Sequence, residues 1–151
     1  MKKRNLLQRA GYDFRCALLG LQHYSGDEFE LDIVAYHVQQ TIEKLMKWEL
    51  EKVGARFSFT HEVHILYQEM LDAGLCPGEW IINHYAVIND YATKTRYGEN
   101  LVAVKAVLDV VLANTDTYLQ QQEELERQEL EESNEPKEPE ERHKQPGFNV
   151  F

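Results

Sequence analysis

Residues 31–51 constrain the fold most, because they separate into an apolar and a polar side when they are wound as a helix. The apolar side recurs at spacings of three and four residues and comprises Leu31, Val34, Ala35, Val38, Ile42, Leu45 and Met46. The polar side carries Tyr36, Gln40, Glu43, Lys44 and Lys47. Glu43 precedes Lys47 by four residues, which is the spacing of a helical ion pair. The stretch therefore predicts a helix with one side in a core, and its polar row is either a solvated surface or a binding site.

Four further segments show helical spacing of apolar residues. They are residues 3–24, residues 63–71 behind a cap at Thr60, residues 79–95, and a segment that begins at residue 99 and continues past 119. Turn residues separate them, with Ser25-Gly26-Asp27 before the second helix and Gly54 and Gly74 after the second and third. The valines of the last segment would also suit a strand, but its length of about twenty residues favours a helix.

These helices predict an all-α fold, an antiparallel up-and-down four-helix bundle with one additional short helix. The bundle is expected over residues 1–122 and a helical extension over residues 123–132. From residue 133 the chain is rich in Glu, Pro and Lys, so residues 133–151 are expected to form a disordered acidic tail. Gly11 and Gly20 weaken the prediction of the first helix, since each lowers helix stability by about 1 kcal/mol relative to alanine.

Composition narrows the class of protein. The net charge is −10; residues 123–151 hold ten acidic and four basic residues and account for −6 of it, which leaves −4 for residues 1–122. The chain has no excess of lysine and arginine of the kind that binds nucleic acids nonspecifically. No apolar run approaches the roughly 20 residues of a membrane-spanning helix, and the N-terminus does not read as an export signal. Cys16 and Cys76 stand alone in apolar sequence, so we expect a cytoplasmic protein without disulfides and without membrane contact.

Three segments carry a family pattern. Residues 35–45, AYHVQQTIEKL, combine an alanine, an aromatic residue, a Gln-Gln pair and a Glu-Lys pair. Thr60-His61-Glu62-Val63 opens the next helix, and Tyr91 precedes Arg96-Tyr97, here followed by Gly98. In this order and on these helices, the segments resemble the HEPN domain family (higher eukaryotes and prokaryotes nucleotide-binding domain), whose last segment usually has proline at the position of Gly98.

The resemblance implies a helical bundle, usually a homodimer, that binds nucleotides or RNA and often acts with a nucleotidyltransferase partner protein. Several branches of the family are metal-independent ribonucleases of toxin–antitoxin or defence systems. In those branches four to six residues separate an arginine from a following histidine near the start of the last bundle helix. Here Arg96 is followed at those positions by Leu101, Val102 and Ala103. The resemblance therefore implies a binding or accessory module rather than an enzyme.

Two alternatives stay open. The first is a ribonuclease whose motif differs from the family pattern and that uses Arg96 or Arg56 with His61. Arg56 and His61 have the required spacing, but they lie between the second and third helices. A match of this kind is also expected by chance in a chain with this many arginines and histidines. The second is a structural protein–protein interaction module, in which the polar row faces solvent and the acidic tail carries the function.

The candidate ligand site joins the polar row to the later motif residues, with Gln40 at a base or ribose and a lysine at phosphate. Its members are Gln40, Glu43, Lys44, Lys47, His61, Arg96 and Tyr97. For Arg96 an ion pair with Glu43 or a helix C-cap is the structural alternative. His61 and His64 lie three residues apart, whereas the zinc motif needs His-Glu-x-x-His, so neither a metal site nor a cofactor is expected.

Overall fold

The computed structural model describes residues 4–97 and 103–136. Within these ranges the chain forms six helices and no strand, which confirms the all-α prediction. The helices are α1 (Leu6–Gln22), α2 (Glu28–Lys52), α3 (Val63–Asp72), α4 (Glu79–Asn83), α5 (Tyr85–Tyr97) and α6 (Lys105–Asn134). None of the described helices is long and apolar enough to cross a membrane.

Contacts between the helices give their directions. Near the turn that joins α1 to α2, Gly20 faces Val34, and farther along Asp13 reaches Lys44, so these two helices are antiparallel. The charge of Asp32, near the start of α2, acts on Tyr91 of α5, whereas the cavity wall around Glu49, near the other end of α2, includes Trp80 of α4. The chain from α4 through α5 therefore runs opposite to α2. In the up-and-down bundle, α1, α2, α5 and α6 are the four main helices, and α3 and α4 are short.

The second helix occupies the centre of this bundle, because α1, α3, α5 and α6 all pack against it. The apolar side predicted for residues 31–51 is buried along its whole length. Several polar side chains of α2 are buried as well; they are Asp32, Gln39, Thr41 and Glu43. A helix covered by neighbours on several sides has no wholly solvated face, so its polar row must find partners inside the protein.

Helix ends follow the predicted turn chemistry in most places. Asp27 caps α2 by accepting a hydrogen bond of 3.1 Å from the amide of Phe29. Gly54 and Gly74 follow α2 and α3 with φ of 69° and 80°, the left-handed conformation that glycine adopts without strain. The predicted cap at Thr60 is wrong for α3. Its hydroxyl accepts from the amide of Glu62, and the first amide of α3, that of Val63, donates instead to the Asn89 side chain of α5 over 2.8 Å.

The single helix predicted over residues 79–95 is divided into α4 and α5 at His84. The His84 backbone leaves the helical conformation with φ −120° and ψ 13°. Its imidazole Nδ1 donates to the carbonyl oxygen of Trp80 over 2.8 Å, which satisfies an acceptor at the end of α4. A histidine carries no strong helix-breaking signal, so the apolar periodicity hid this break.

The last helix begins later than predicted and continues without interruption. It starts at Lys105 after Val104, and it passes residue 122 as one element to Asn134. The proposed helical extension of residues 123–132 is therefore continuous with the bundle helix. The start predicted at residue 99 and the acidic tail beyond residue 136 lie outside the described residues.

Some apolar residues assigned to the buried faces are exposed. Leu18 of α1 and Leu71 of α3 are 42% and 46% exposed. Cys16 and Cys76, which stand in apolar sequence, are also exposed and unpaired. Both leucines lie at the borders of an apolar stripe, where a periodic pattern defines the direction of the core less sharply than at the stripe's centre.

Candidate functional site

The polar row of α2 is organised around the carboxylate of Glu43, which is only 5% exposed. The ammonium of Lys47, one turn farther along the helix, lies 2.8 Å from Glu43 Oε1. The imidazole Nδ1 of His61 lies 3.0 Å from Oε2 and 3.1 Å from Oε1. His61 belongs to the connection between α2 and α3, so this contact fastens that connection onto the side of the bundle.

Two neighbouring carboxamides complete the arrangement. Gln39 Nε2 donates to Glu43 Oε2 over 3.2 Å and to the carbonyl oxygen of His61 over 3.1 Å. Gln40 Nε2 donates to Gln39 Oε1 over 2.7 Å and to Glu43 Oε2 over 3.4 Å. Gln39, Gln40, Glu43, Lys47 and His61 thus form one hydrogen-bonded group, which we call the Glu43 cluster.

The balance of interactions keeps Glu43 ionised. Burial raises the pKa of its carboxyl and is the largest single effect. Hydrogen bonds from Lys47 and His61, the charge of Lys47 and the Gln39 amide together outweigh burial and bring the pKa below its ordinary value of 4.5. At neutral pH the carboxylate is therefore a fixed negative charge that attracts the proton on His61 Nδ1.

Lys44 leaves the cluster, although it is adjacent to Glu43 in sequence. Its ammonium forms an ion pair with Asp13 of α1, and Asp13 also contacts His37 Nδ1 over 3.1 Å. The side chains of Lys44 and Asp13 are 17% and 16% exposed. Lys44 therefore stabilises the packing of α1 against α2 and is turned away from the Glu43 cluster.

The α2–α3 connection is held at two further points. The Lys47 ammonium lies 5.9 Å from the centre of the Phe57 ring, within the range of a cation–π contact. The Ser58 amide donates to the Glu69 carboxylate of α3 over 2.9 Å. These contacts fix the connection at Phe57 and at Ser58, so His61 belongs to a segment that is fastened to α2 and α3.

The later motif residues are described only in part. Arg96 and Tyr97 form the end of α5, and their side chains lie outside the described residues. Tyr91, one and a half turns earlier, is fully buried, and burial together with the charge of Asp32 raises the pKa of its phenol to about 12. The structure thus brings together Gln40, Glu43, Lys47 and His61 of the predicted site and directs Lys44 to a different neighbour.

The motif histidines have different surroundings. His61 is 58% exposed at its side chain, whereas His64 packs against Tyr85 and contacts the Asn89 amide over 3.0 Å. No group of three or more potential metal ligands occurs within residues 4–97 and 103–136. Since Asn89 also holds the first amide of α3, His64 belongs to the helix-capping arrangement and not to the Glu43 cluster.

Sequence reasoning did not assign site roles to Gln39 and Asp13. Gln39 stands beside Gln40 in the Gln-Gln pair, and this pairing was a usable signal, because one turn of helix separates Gln39 from Glu43. Asp13 gave no such signal. Its partner Lys44 lies 31 residues away, and only the packing of two helices brings them together.

Chemically, the cluster positions one imidazole at the protein surface. With Nδ1 held by Glu43, Nε2 of His61 points away from the carboxylate and has no hydrogen-bond partner among the described residues. Nε2 accepts a hydrogen bond when the ring is neutral and donates one when it is protonated. The arrangement suits recognition of a polar or anionic group, with Glu43 fixing the ring orientation.

Comparison with known proteins gives one match. The sequence model of the HEPN domain matches residues 4–133 of the chain, which includes every described helix except the last residue of α6. No curated protein and no solved structure matches significantly.

Proposed function

This chain belongs to the HEPN domain family, and from that premise we propose that it is a non-catalytic binding or accessory module for a nucleotide or RNA. Membership of this family indicates a function related to nucleotides or RNA. The finer assignment rests on the Glu43 cluster, which occupies the part of α2 that carries the family pattern.

One observation supports this proposal above all others: a buried, ionised carboxylate holds an exposed histidine by one ring nitrogen. The side chain of His61 is 58% exposed, so a ligand can reach it. Held in this way, His61 loses little side-chain freedom on binding, so its Nε2 is prepared for a phosphate oxygen or a ribose hydroxyl.

Gln40 provides the second contact of the proposed site. Its Nε2 is engaged by Gln39 and Glu43, which orients the carboxamide and leaves Oε1 as the group offered to a base or ribose. Gln40 is partly exposed, so a ligand can reach it. Glu43 and Lys47 act as positioning residues, because each is largely buried and paired with the other.

The charge of a bound phosphate requires more than His61. Lys44 and Lys47 are neutralised by Asp13 and Glu43, so neither offers a free positive charge. Arg56 is exposed five residues before His61 in the same connection, and we propose that it contributes positive charge together with Arg96, with Tyr97 of the family pattern as a neutral contact. The site would then recognise a ligand by directed hydrogen bonds and a few cations.

The module is proposed to be non-catalytic because the arginine–histidine spacing of the family's ribonucleases is lacking after Arg96. Incubation of the purified protein with mixed RNA tests this directly. We expect no cleavage above that of a His61→Ala variant. Cleavage that disappears in His61→Ala would instead favour the ribonuclease.

We further propose that the protein is a homodimer that acts with a nucleotidyltransferase partner, as the resemblance implies for the family. Sedimentation velocity separates the two states, because a dimer has twice the 17.7 kDa mass of one chain. A species at 17.7 kDa over the whole concentration range would contradict the dimer.

Thermal unfolding in the presence of ATP, ADP, GTP and short RNAs tests the binding proposal. A ligand at one hundred times its dissociation constant stabilises the folded state by about 2.7 kcal/mol, which corresponds to a rise in Tm of roughly 5–10 °C for a protein of this size. We expect at least one of these ligands to raise Tm. If none does, the protein–protein interaction module becomes the better account.

A matched pair of variants locates the binding. His61→Ala removes the imidazole of the Glu43 cluster, and His23→Ala removes an exposed imidazole just after α1. We expect the ligand-dependent rise in Tm to be lost in His61→Ala and kept in His23→Ala. Equal rises in both variants would place the ligand elsewhere.

A further inference from the structure

A cavity of about 310 Å³ opens between α2, α6 and the segment that joins α3 to α4. Glu49 of α2, Cys76 and Trp80 of the α3–α4 side, and Asn114 and Gln121 of α6 contribute to its wall. Its volume is at the lower end of the range for small-molecule sites. The cavity shares no residue with the Glu43 cluster and stands independently of the proposed function.

Among the described residues that line the cavity, Glu49 is the only acidic one. It accepts hydrogen bonds from the Tyr118 hydroxyl and from Gln122 Nε2, the latter over 3.2 Å. Both donors are neutral. The nearby Lys52 ammonium is engaged with α6 instead, at 2.9 Å from Glu129 and 3.8 Å from Glu126.

These partners do not compensate for the burial of the charge. Burial raises the pKa of the Glu49 carboxyl, and the hydrogen bonds from Tyr118 and Gln122 and the charge of Lys52 do not bring it back to the ordinary value. Glu43, on the same helix, has a lowered pKa because a lysine bonds to it directly. A cation in the cavity would give Glu49 the directly bonded positive charge that Lys47 gives Glu43.

Aromatic side chains form another part of the wall. The indole of Trp80 lies against Gly78, where a Cβ atom would approach the indole Cδ1 and Nε1 to 2.6 Å. Gly78 therefore gives the ring the room for its position, and the Tyr118 ring meets it edge-on at 6.3 Å between centroids. Indole faces attract ammonium and guanidinium groups more strongly than other aromatic side chains do.

The remaining polar groups of the wall are neutral. Asn114 and Gln121 offer carboxamide oxygens, which accept hydrogen bonds from N–H donors. Neither lysine nor arginine lines the cavity among the described residues, so a phosphate or carboxylate would meet the charge of Glu49 without a counter-charge. We propose that this cavity binds an organic monocation, a primary ammonium or a guanidinium, between the Glu49 carboxylate and the Trp80 ring.

The two cysteines provide a direct assay. Cys76 lines the cavity, whereas Cys16 is exposed on α1 and lies outside it. The rate of alkylation of each thiol by iodoacetamide is followed by peptide mass spectrometry with and without n-butylguanidinium or n-butylammonium. Butan-1-ol and butyrate, of matching chain length, are the neutral and anionic controls.

We expect the cations to slow alkylation of Cys76 and to leave that of Cys16 unchanged. At about 10 mM cation and a dissociation constant of about 1 mM, roughly nine-tenths of the cavities are filled, so the rate at Cys76 falls by up to about tenfold, the limit reached when a filled cavity shields the thiol completely. Unchanged alkylation of Cys76 at this concentration, or equal protection by butan-1-ol, would overturn the proposal.

Two variants test the assigned walls. Glu49→Gln removes the charge and keeps an acceptor for Tyr118, and Glu51→Gln removes a charge from an exposed position of the same helix. Protection of Cys76 is expected to be lost in Glu49→Gln and kept in Glu51→Gln; protection retained by folded Glu49→Gln would contradict the proposal.

Gly78→Ala, at an exposed position outside the core, displaces the indole and is expected to weaken protection. Full protection in this variant would contradict the role of Trp80.

Discussion

Two glutamates of one helix show how neighbours decide the state of a buried carboxyl group. Glu43 and Glu49 both lose favourable hydration by burial, which raises the pKa of each. Lys47 and His61 reverse this effect at Glu43, whereas the mainly neutral surroundings of Glu49 do not. The charge of Glu43 is compensated by residues of the protein itself, and we propose that a bound cation compensates the charge of Glu49.

Replacing Glu43 with glutamine is expected to lower the free energy of unfolding by about 2 kcal/mol at pH 7, because Lys47 and His61 lose a buried charged partner. The lowered pKa of Glu43 gives stability that is present above its ordinary value of 4.5 and lost as the pH falls through the folded-state pKa. The deficit of the variant should therefore shrink below pH 4.5. Urea unfolding from pH 7 to pH 3 measures it.

Glu51→Gln serves as the control for this experiment, because Glu51 is exposed on the same helix. Its change in the free energy of unfolding should stay within about 0.5 kcal/mol. A deficit of Glu43→Gln that is absent at pH 7, or that grows below pH 4.5, would contradict the charge balance assigned to the cluster.

Removal of the Tyr118 hydroxyl is expected to destabilise the protein through Glu49. Tyr118→Phe keeps the ring and removes a donor, and we expect a loss of about 1.5 kcal/mol at pH 7. The pKa of Glu49 would rise further, so the deficit should be larger at pH 7 than below pH 4.5, where the carboxyl is protonated. Urea unfolding measures both. Tyr12→Phe, at an exposed ring, is the control; an equal effect there would argue against the bond.

At the scale of elements, two glycines of α1 differ in the space around them. A Cβ atom at Gly20 would lie 2.9 Å from Val34 Cγ2 in the contact with α2, whereas at Gly11 the nearest atom, a Glu123 carboxylate oxygen, would be 3.9 Å away. Sequence reasoning counted both as equal costs to the helix. Only the packing of α1 on α2 distinguishes them.

Gly11→Ala is therefore expected to stabilise the protein by about 0.5–1 kcal/mol through helix propensity alone. Gly20→Ala is expected to destabilise it by about 1 kcal/mol, because the buried Val34 must shift. Thermal and urea unfolding of the two variants gives the comparison. Equal stabilisation by both would contradict the close approach of α1 and α2.

The start of α3 depends on another helix. Asn89→Ala removes the side-chain acceptor of the Val63 amide and the contact with His64, and we expect a loss of about 1 kcal/mol. Amide hydrogen exchange should quicken in the first turn of α3 and in the preceding connection. Asn83→Ala, at an exposed position of α4, is the control; unchanged exchange around Val63 in Asn89→Ala would refute the cap.

At the scale of the whole molecule, the sequence was informative about what is local and periodic. The apolar stripes, apart from border residues such as Leu18 and Leu71, the turn at Asp27 and the glycine ends of α2 and α3 follow from short-range rules, and the structure has them as predicted. The division at His84 and the cap from Asn89 depend on side chains that bond at helix ends. Helical periodicity carries no information about such bonds.

Sequence reasoning named four of the five residues of the Glu43 cluster, all except Gln39, but not their arrangement. Periodicity placed Gln40, Glu43, Lys44 and Lys47 on one side of a helix, and it offered either water or a ligand as their partner. The structure gives Lys44 to Asp13 and joins the others around a buried carboxylate. The reason is that α2 is covered on several sides, which only the assembled bundle determines.

The central claim is that a nucleotide or RNA binds where His61 meets the Glu43 cluster. Titration of the ¹⁵N-labelled protein with the ligand that raises Tm most, followed by amide chemical shifts, tests it most directly. We predict the largest changes in residues 39–47 and 60–64, abolished by His61→Ala and unaffected by His23→Ala. Saturable changes confined to other helices, or no changes at all, would contradict the claim.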